Sequence, residues 1–580
     1  MGNPLKLCFL LSCLQYFTKR KECLQSMAAF YQYLRDGHFL NNEQYKKAQD
    51  AQAQVRNSTF YSAVRRAQVM DDEQLVDVAC SFFHLKRIQN AFTTEVDFAA
   101  TNKVMEDIFN AIRTKMFVIR LGGKLTCVLN DPENETLRNK AVSALGEEPD
   151  FALITETEYQ IILQYQLTPR AISEQSDKIK SNSPQMALTE TGSMASYTQQ
   201  LLDMLIDAAL ERRASDLHLL PLDDKRAQVM LRIDGVLYYY ATIKADILNN
   251  LRNKLKTLSQ VGGESMDKPI EGQISVMHRG QSIDIRINIV KSSLGYDFNL
   301  RFIDANLKSL EELGLSKSNY ENYMHLLHMT KGLVILCGPT GSGKTSLLYA
   351  GFKKLLQENK AIFTIEDPVE IILPGVTQLQ VRKEVGMTYA ERFPSTLRHD
   401  PDIIGIGETR TLDVAEQTVQ AANTGHLVFT TLHTNDAVGA ISRLVNLGLA
   451  PYTIGDVLAA VVAQRLVRRV CDSCAEEYDL PMDSPWREKY NLGSNRITLK
   501  RGKGCACCAG TGYKGRIAVD EFLMTTPKFR SAIQKNATRS ELEEILAEEG
   551  FKTYINDAVE KALAGITTFD EVDKLSLDIL

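Results

Sequence analysis

Gly338-Pro339-Thr340-Gly341-Ser342-Gly343-Lys344-Thr345 is the stretch from which the fold is read. It matches G-x-x-x-x-G-K-[ST], the pattern of a phosphate-binding loop. An apolar run, Leu333-Val334-Ile335-Leu336-Cys337, precedes it and is short enough for a buried strand. A helical pattern follows over 345–357. Strand, glycine loop and helix together are the context the motif needs. Glycines let backbone N–H groups turn inward around phosphate oxygens, and the helix N-terminus adds positive potential. In this reading Gly338, Pro339, Thr340, Gly341, Ser342 and Gly343 cradle the phosphates. Lys344 reaches the β- and γ-phosphates of ATP, and the Thr345 hydroxyl holds Mg²⁺.

Three further apolar strands are expected downstream, at 361–365, 402–406 and 426–432, with helical runs between them. That alternation predicts an α/β sheet with nucleotide at its carboxyl edge. The polar residues at those strand ends are therefore the candidate chemistry. Glu366-Asp367-Pro368-Val369-Glu370 follows one strand and Gly407-Glu408 follows the next. Phosphoryl transfer to water needs a carboxylate that activates the water and others around Mg²⁺. Glu408 is assigned the activating role and Glu366 an outer or water-positioning one. A single strand-end acid is as readily a helix cap, but several in order after a phosphate loop are not. His426 opens the last strand and His433 closes it. Either could sense the γ-phosphate by hydrogen bonding, or be structural.

The chain has 580 residues, enough for about three or four domains. Hydrophobic residues make up 44% and charged ones 24%, which is ordinary for a globular protein. The net charge of −5 and the single Trp give no sign of the basic, aromatic-rich channel of a nucleic-acid motor, and no nucleic-acid partner is expected. No run of 18 apolar residues exists, so no membrane span is expected. Leu7-Cys8-Phe9-Leu10-Leu11 resembles a short signal core, but only Lys6 precedes it. Export would part the phosphate loop from ATP. The first 26 residues therefore read as an amphipathic helix or as an extension ahead of Met27.

Five of the eleven cysteines cluster late. Cys471-x-x-Cys474 and Cys505-x-x-Cys508 form two knuckles, the usual sequence form of a tetrahedral zinc site. The loop between them is long but closes at little extra entropic cost. Cys507 is a bystander by spacing. A reducing cytoplasm favours metal over disulfides here.

Read in order, residues 1–167 form an N-terminal α/β domain, with Asp71 or Asp72 capping a helix that runs to 83 and a turn at Asn130-Asp131-Pro132-Glu133-Asn134. Residues 168–193 turn polar and read as a flexible linker. Residues 194–305 read as an α+β domain containing a hairpin over 228–240 with an Asp234-Gly235 turn. The ATPase domain spans 306–468, and 469–580 holds the tetracysteine insert and the C-terminal helices.

These motifs stand in one order: the phosphate loop, the acidic box at Glu366, Leu397-Arg398-His399-Asp400-Pro401-Asp402 running into Gly407-Glu408, and the histidine box Thr424-Gly425-His426 to His433-Thr434-Asn435. Together they resemble the secretion ATPases of type II secretion systems and type IV pilus assembly. The resemblance is strong over residues 195–580. It implies an α/β multidomain fold: a RecA-like P-loop domain, a PAS-like domain at 194–305, an N-terminal platform and a C-terminal zinc-binding helical region. Arg213-Ala214-Ser215-Asp216-Leu217-His218 and Arg232-Ile233-Asp234-Gly235-Val236-Leu237 carry the PAS-like match. Arg286 and Arg301 stand where family arginines approach the nucleotide.

Two segments depart from the family pattern. Gly407-Glu408-Thr409-Arg410-Thr411 lacks the usual final acid, and Pro269-Ile270-Glu271-Gly272-Gln273 lacks the usual arginine. Arg120-Leu121-Gly122-Gly123-Lys124-Leu125 matches the opening of a cyclic di-GMP segment of some relatives, yet runs into a strand and a proline turn. Such binding is not expected. The resemblance further implies ATP, Mg²⁺ and Zn²⁺ as cofactors and a homohexamer in the cytoplasm, peripherally bound to the inner membrane. A polytopic membrane platform protein and an adaptor held by the N-terminal domain are the implied partners. A retraction ATPase of the same superfamily is the near rival, though those relatives lack the cysteine insert and the long N-terminal domain.

Overall fold

The computed structural model describes residues 30–55, 58–89, 91, 93–146, 149–178, 191–259, 268–303 and 307–577. The first 26 residues, the linker residues 179–190 and the expected domain boundary at 305/306 lie outside them. The chain divides into two compact units, one reaching Gly272 and including Ile287–Leu300, the other made of Gln273–Arg286 and Arg301–Leu580.

In the first unit, strands β1 (Lys86–Arg87), β2 (Phe117–Leu121), β3 (Lys124–Leu129) and β4 (Asp150–Leu153) form a sheet in the order β1-β4-β3-β2. Gly122 and Gly123, both at positive φ, make the two-residue turn between β2 and β3. Type I′ turns require that geometry at both positions. Asp71 caps the helix Asp72–Phe83, accepting from Glu73 N and Gln74 N. The acidic turn after β3 serves as an interlock. Asp131 Oδ2 accepts from the hydroxyls of Thr59 and Ser62, each at 2.6 Å, and Glu133 accepts from Tyr61 N at 2.8 Å. Two carboxylates thus sit at the N-terminus of the helix Phe60–Ala67, where donors are unsatisfied and the dipole favours negative charge.

The polar stretch from Thr168 does not begin a flexible linker. It forms helix α1 (Thr168–Lys178), in which Ala171, Ile172, Gln175 and Ser176 are buried. Helix α2 (Thr191–Glu211) then leads into β5 (Ala214–Pro221), β6 (Arg226–Ile233) and β7 (Val236–Lys244), with Asp234-Gly235 at the β6–β7 turn. Ser173 Oγ donates to Thr242 O at 2.7 Å, and Gln175 Nε2 to Gln200 Oε1 at 3.1 Å. The Arg212 guanidinium packs on two rings, 4.7 Å from the centroid of Tyr165 and 4.6 Å from that of Tyr240, and donates to Gln164 O. Only two apolar residues face the buried side of α1, so its hydrophobic pattern is too thin to announce a helix. Serine and glutamine do the packing by hydrogen bonding instead. With β8 (Ile270–His278), β9 (Gln281–Ser292) and β10 (Gly295–Ile303), the second sheet runs β7-β6-β5-β10-β9-β8.

The third sheet carries the site. Its strands are β11 (Gly332–Cys337), β12 (Ile362–Glu366), β13 (Thr377–Gln380), β14 (Ile403–Ile406), β15 (Leu427–Leu432), β16 (Leu458–Val470) and, after the small hairpin β17 (Ala475–Asp479) and β18 (Thr498–Gly502), β19 (Tyr513–Met524). The order is β13-β12-β14-β15-β11-β16-β19, parallel except for the antiparallel edge strand β19. Every residue of β11, β14 and β15 is buried, as expected for strands covered on both faces. One face packs on Leu347, Phe352, Tyr323 and Leu310; the other on Val414, Val438, Ile441 and Phe529. Parallel strands with helices on both faces put their carboxyl ends along one edge. That edge is where the loops converge.

Candidate active site

Helix α3 (Lys344–Leu355) starts directly after Gly343, which sits at φ +95° as its N-cap. At Gly338 the chain passes so close to β16 that a Cβ would lie 2.5 Å from Gln464 O. Only glycine fits there, which is why the loop can wrap against the sheet. Lys344 Nζ donates to Gly338 O at 2.7 Å and Pro339 O at 3.0 Å. Burial holds its ammonium below the usual lysine value.

A cavity of about 250 Å³ opens at this edge. Thr340, Gly341, Lys344 and Thr345 line it from the loop, Glu366, Asp367 and Glu370 from the end of β12, Glu408 and Arg410 from the end of β14, and His433 from the end of β15. Part of the phosphate loop, the acids and one of the two histidines read from sequence therefore share one space, although His433 lies 93 positions after Thr340.

The two glutamates differ in their surroundings. Glu366 is 6% exposed and accepts from Thr364 Oγ1 at 2.5 Å, from Gln378 Nε2 at 3.2 Å and from the Tyr349 hydroxyl. Its oxygens are occupied by side chains that fix its position. Glu408 has Arg410 Nε at 2.6 Å and His433 Nε2 at 3.6 Å, both at Oε2. Its loop is held from behind: Thr431 Oγ1 donates to Gly407 O at 2.5 Å, Thr409 N to Thr431 O at 3.0 Å, and Thr409 Oγ1 lies 2.8 Å from Thr430 Oγ1. Burial and the nearby Lys344 cation hold His433 below the usual histidine value, so its imidazole is neutral near pH 7.

His426 is not brought to this cavity. It precedes β15 at the opposite end, roughly 20 Å away at ~3.3 Å per residue. Its Nδ1 lies 3.0 Å from Ala421 O and 3.2 Å from Thr424 Oγ1, a helix-end contact. The expected γ-phosphate role at His426 is therefore replaced by a structural one in the subunit. Arg286 Nη2 donates to Val369 O at 3.3 Å, next to the acidic box. Arg301 is exposed near the end of β10. Tyr349, Thr364, Gln378 and Arg410 were not singled out from sequence. Tyr349 had a signal, since it lies one helical turn beyond Thr345 on the same face. Gln378 had none, because β13 pairs with β12 only in the folded sheet.

The four knuckle cysteines converge. Their sulfurs all lie within 4.8 Å of one another, with Cys471–Cys505 and Cys474–Cys508 at 3.8 Å and Cys505–Cys508 at 3.7 Å. A tetrahedral Zn–S bond of about 2.3 Å sets sulfurs about 3.8 Å apart, so the set fits zinc. Cys507 is exposed and outside the cluster. A Cβ at Gly512 would meet the Gly502 backbone at 2.6 Å, so the strands flanking the knuckles close only with glycine there.

A family model described as type II/IV secretion system protein matches residues 192–574. The chain belongs to that family. It is 36% identical over 382 residues to the type IV pilus assembly ATPase PilB of Thermus thermophilus, covering 65% of this chain and 43% of that one, so the match spans less than half of that relative. It is 33% identical over 469 residues to PilB of Acinetobacter baylyi, covering 80% and 78%. It is also 33% identical over 380 residues to the type II secretion system ATPase E of Vibrio cholerae, covering 65% and 75%. With the phosphate loop and strand-end acids together, the chain is a P-loop ATPase of the type II/IV secretion family.

Proposed function

We propose that this ATPase powers assembly of a type IV pilus or a type II secretion pseudopilus at the bacterial inner membrane. The convergence of Lys344, Thr345, Glu366, Glu408 and His433 on one cavity carries the reading. Lys344 and the start of α3 bind the phosphates. The Thr345 hydroxyl is placed to hold Mg²⁺, which supplies charge neutralisation when bound. Glu408, whose Oε2 is steadied by Arg410, takes the proton of the attacking water. Glu366, locked by three donors, orders that water instead of moving a proton. Neutral His433 is within reach of the γ-phosphate side of the cavity and donates or accepts a hydrogen bond there.

The working form is a homohexamer, docked on a polytopic membrane platform protein, with an adaptor held by the N-terminal domain. No helix among the described residues is long and apolar enough to cross a membrane, in keeping with a peripheral attachment. Structural zinc sits in the tetracysteine cluster. The test is Mg²⁺-dependent ATP turnover of the purified chain. Glu408→Gln should bind ATP yet lose at least about 100-fold in kcat, the scale of a lost general base. Lys344→Ala should lose binding and turnover together. A Glu408→Gln enzyme as active as wild type overturns the role given to Glu408.

A further inference from the structure

One buried hydroxyl stands directly behind the active edge and has no part in the chemistry above. Tyr389 opens helix α4 (Tyr389–Leu397), which the Thr388 side chain caps by accepting from Glu391 N at 3.4 Å. Its ring packs against the apolar cluster that contains Phe393, Ile406 and Val414. Its oxygen reaches the end of β14, where it would lie 3.4 Å from a Cβ at Gly407, the residue before Glu408. Glu366 Cα and Ile365 O stand 3.2 and 3.3 Å from the same point. A side chain at 407 would press on both the β12 backbone and the phenol, so glycine leaves the hydroxyl its room. Among the described residues this hydroxyl is buried and has no hydrogen-bond partner. Buried polar atoms are nearly always paired, so the orphan needs a reason.

Most polar groups around it are committed elsewhere. At the end of β12, Glu366 is filled by Thr364, Gln378 and Tyr349, and Asp367 Oδ2 is paired with Lys383 at 3.0 Å. On α4 itself, Arg392 donates to Gln380 O at 3.4 Å. At the end of β14, Glu408 has Arg410 and His433 on one oxygen. The Arg410 side chain is 68% exposed, so its hold on Glu408 competes with water. The peptide unit between Gly407 and Glu408 is held at its carbonyl by Thr431 on β15, at 2.5 Å. Its other end, the Glu408 N–H, is directed at the Tyr389 oxygen without closing to a hydrogen bond. Burial, then the Glu408 and Asp367 carboxylates, push the phenol above the usual tyrosine value, so it keeps its proton.

We propose that Tyr389 is a positioning residue for hydrolysis, clamping Glu408 from the side opposite Thr431 once nucleotide is bound. The carbonyl and N–H of a trans peptide point opposite ways. Thr431 on β15 and Tyr389 on α4 thus hold the two ends of one peptide unit. A phenol can accept and donate at once. Its oxygen takes the Glu408 N–H, and its O–H goes to the Glu408 carboxylate. One side chain then fixes both the backbone and the acid of the same residue. Hydrogen bonds at an active site are often long without substrate and close in the complex.

This inference rests on the ATPase reading, and two measurements on the full-length chain keep them apart. Tyr389→Phe removes one oxygen and keeps the ring. Its kcat should fall on the order of tenfold, the scale of one hydrogen bond lost at a transition state. KM for ATP should change little, because the phenol does not line the cavity. In a Glu408→Gln background the same substitution should cost less than about twofold, since the acid it positions is already gone. A kcat equal to wild type, or the same fold loss in both backgrounds, overturns the proposal. A rise in KM alone overturns it too, because the hydroxyl would then act in binding. The second measurement needs no turnover. Infrared difference spectra are taken between nucleotide-free protein and protein with Mg²⁺ and a non-hydrolysable ATP analogue. A tyrosine C–O band that shifts on binding in wild type and is lost in Tyr389→Phe supports the clamp. No shift, or a shift that survives Tyr389→Phe, overturns it. No ATP turnover in wild type, with that shift intact, would sink the ATPase reading alone.

Discussion

Glu366 accepts from three side chains, whereas Glu408 has one arginine and the cavity. Neighbouring strand ends thus carry one fixed and one available carboxylate. Burial makes a third carboxylate useful as a probe. Glu133 is 5% exposed, and burial pushes it up to about 7 in spite of the Tyr61 N–H that it accepts. A raised folded value means the native state binds a proton that the unfolded state has already released. Its contribution is full below the ordinary glutamate value and is lost as pH rises through about 7. Glu133→Gln should therefore raise the melting temperature at pH 8 by a few degrees and do little or the reverse at pH 5. A melting shift equal at both pH values would show that Glu133 is charged in the fold. The acids at the active edge were legible in the sequence because the phosphate loop fixes which ends of parallel strands are active. The sequence left His426 and His433 on an equal footing; only the folded strand, with His426 at its start and His433 at its end, separates them. Tyr349 and Gln378 were not legible, since their contact with Glu366 exists only once α3 and β13 are packed.

At the scale of elements, the tetracysteine cluster closes the ribbon of β16 and β19. Cys471 follows β16 directly, and Cys508 precedes β19 by a short turn. The knuckle spacing was enough to pick out the four cysteines that converge. It gave no hint of the hairpin β17–β18 between them or of the 13-residue length of β16. Those depend on pairing with β11 and β19, whose partners lie far along the chain. Because β16 also runs past the phosphate loop, loss of the metal should be felt as instability of the whole C-terminal region. Metal analysis should find about one zinc per chain. Cys471→Ser or Cys508→Ser should lose it and unfold at lower temperature, while Cys507→Ser should keep both zinc and stability. Zinc retained in Cys471→Ser and lost in Cys507→Ser would reverse the ligand assignment.

At the scale of the whole molecule, the polar segment from Thr168 was expected to let the N-terminal domain swing free. Helix α1 instead docks on β7 through Ser173 and on α2 through Gln175, and Arg212 is gripped by Tyr165 and Tyr240. Cation–π pairs that are desolvated on both faces and buried side-chain hydrogen bonds each contribute on the order of 1 kcal/mol. Cutting the chain near Ser193 removes all of them except the Arg212–Tyr240 contact and bares the β7 face. Every phosphate-site residue nevertheless lies in the second unit. A fragment starting at Ser193 should therefore hydrolyse ATP with Mg²⁺ at high protein concentration, yet melt at a lower temperature than one starting at Thr155, which retains Tyr165 and α1. Neither should support pilus or secretion output in cells if the N-terminal domain has the proposed role of holding the adaptor. Equal melting temperatures for the two fragments would show that α1 contributes nothing to the fold of its unit. A Ser193 fragment that is folded and hexameric but inactive at every concentration would show that residues ahead of it take part in the chemistry, and the division of labour between the units would fail.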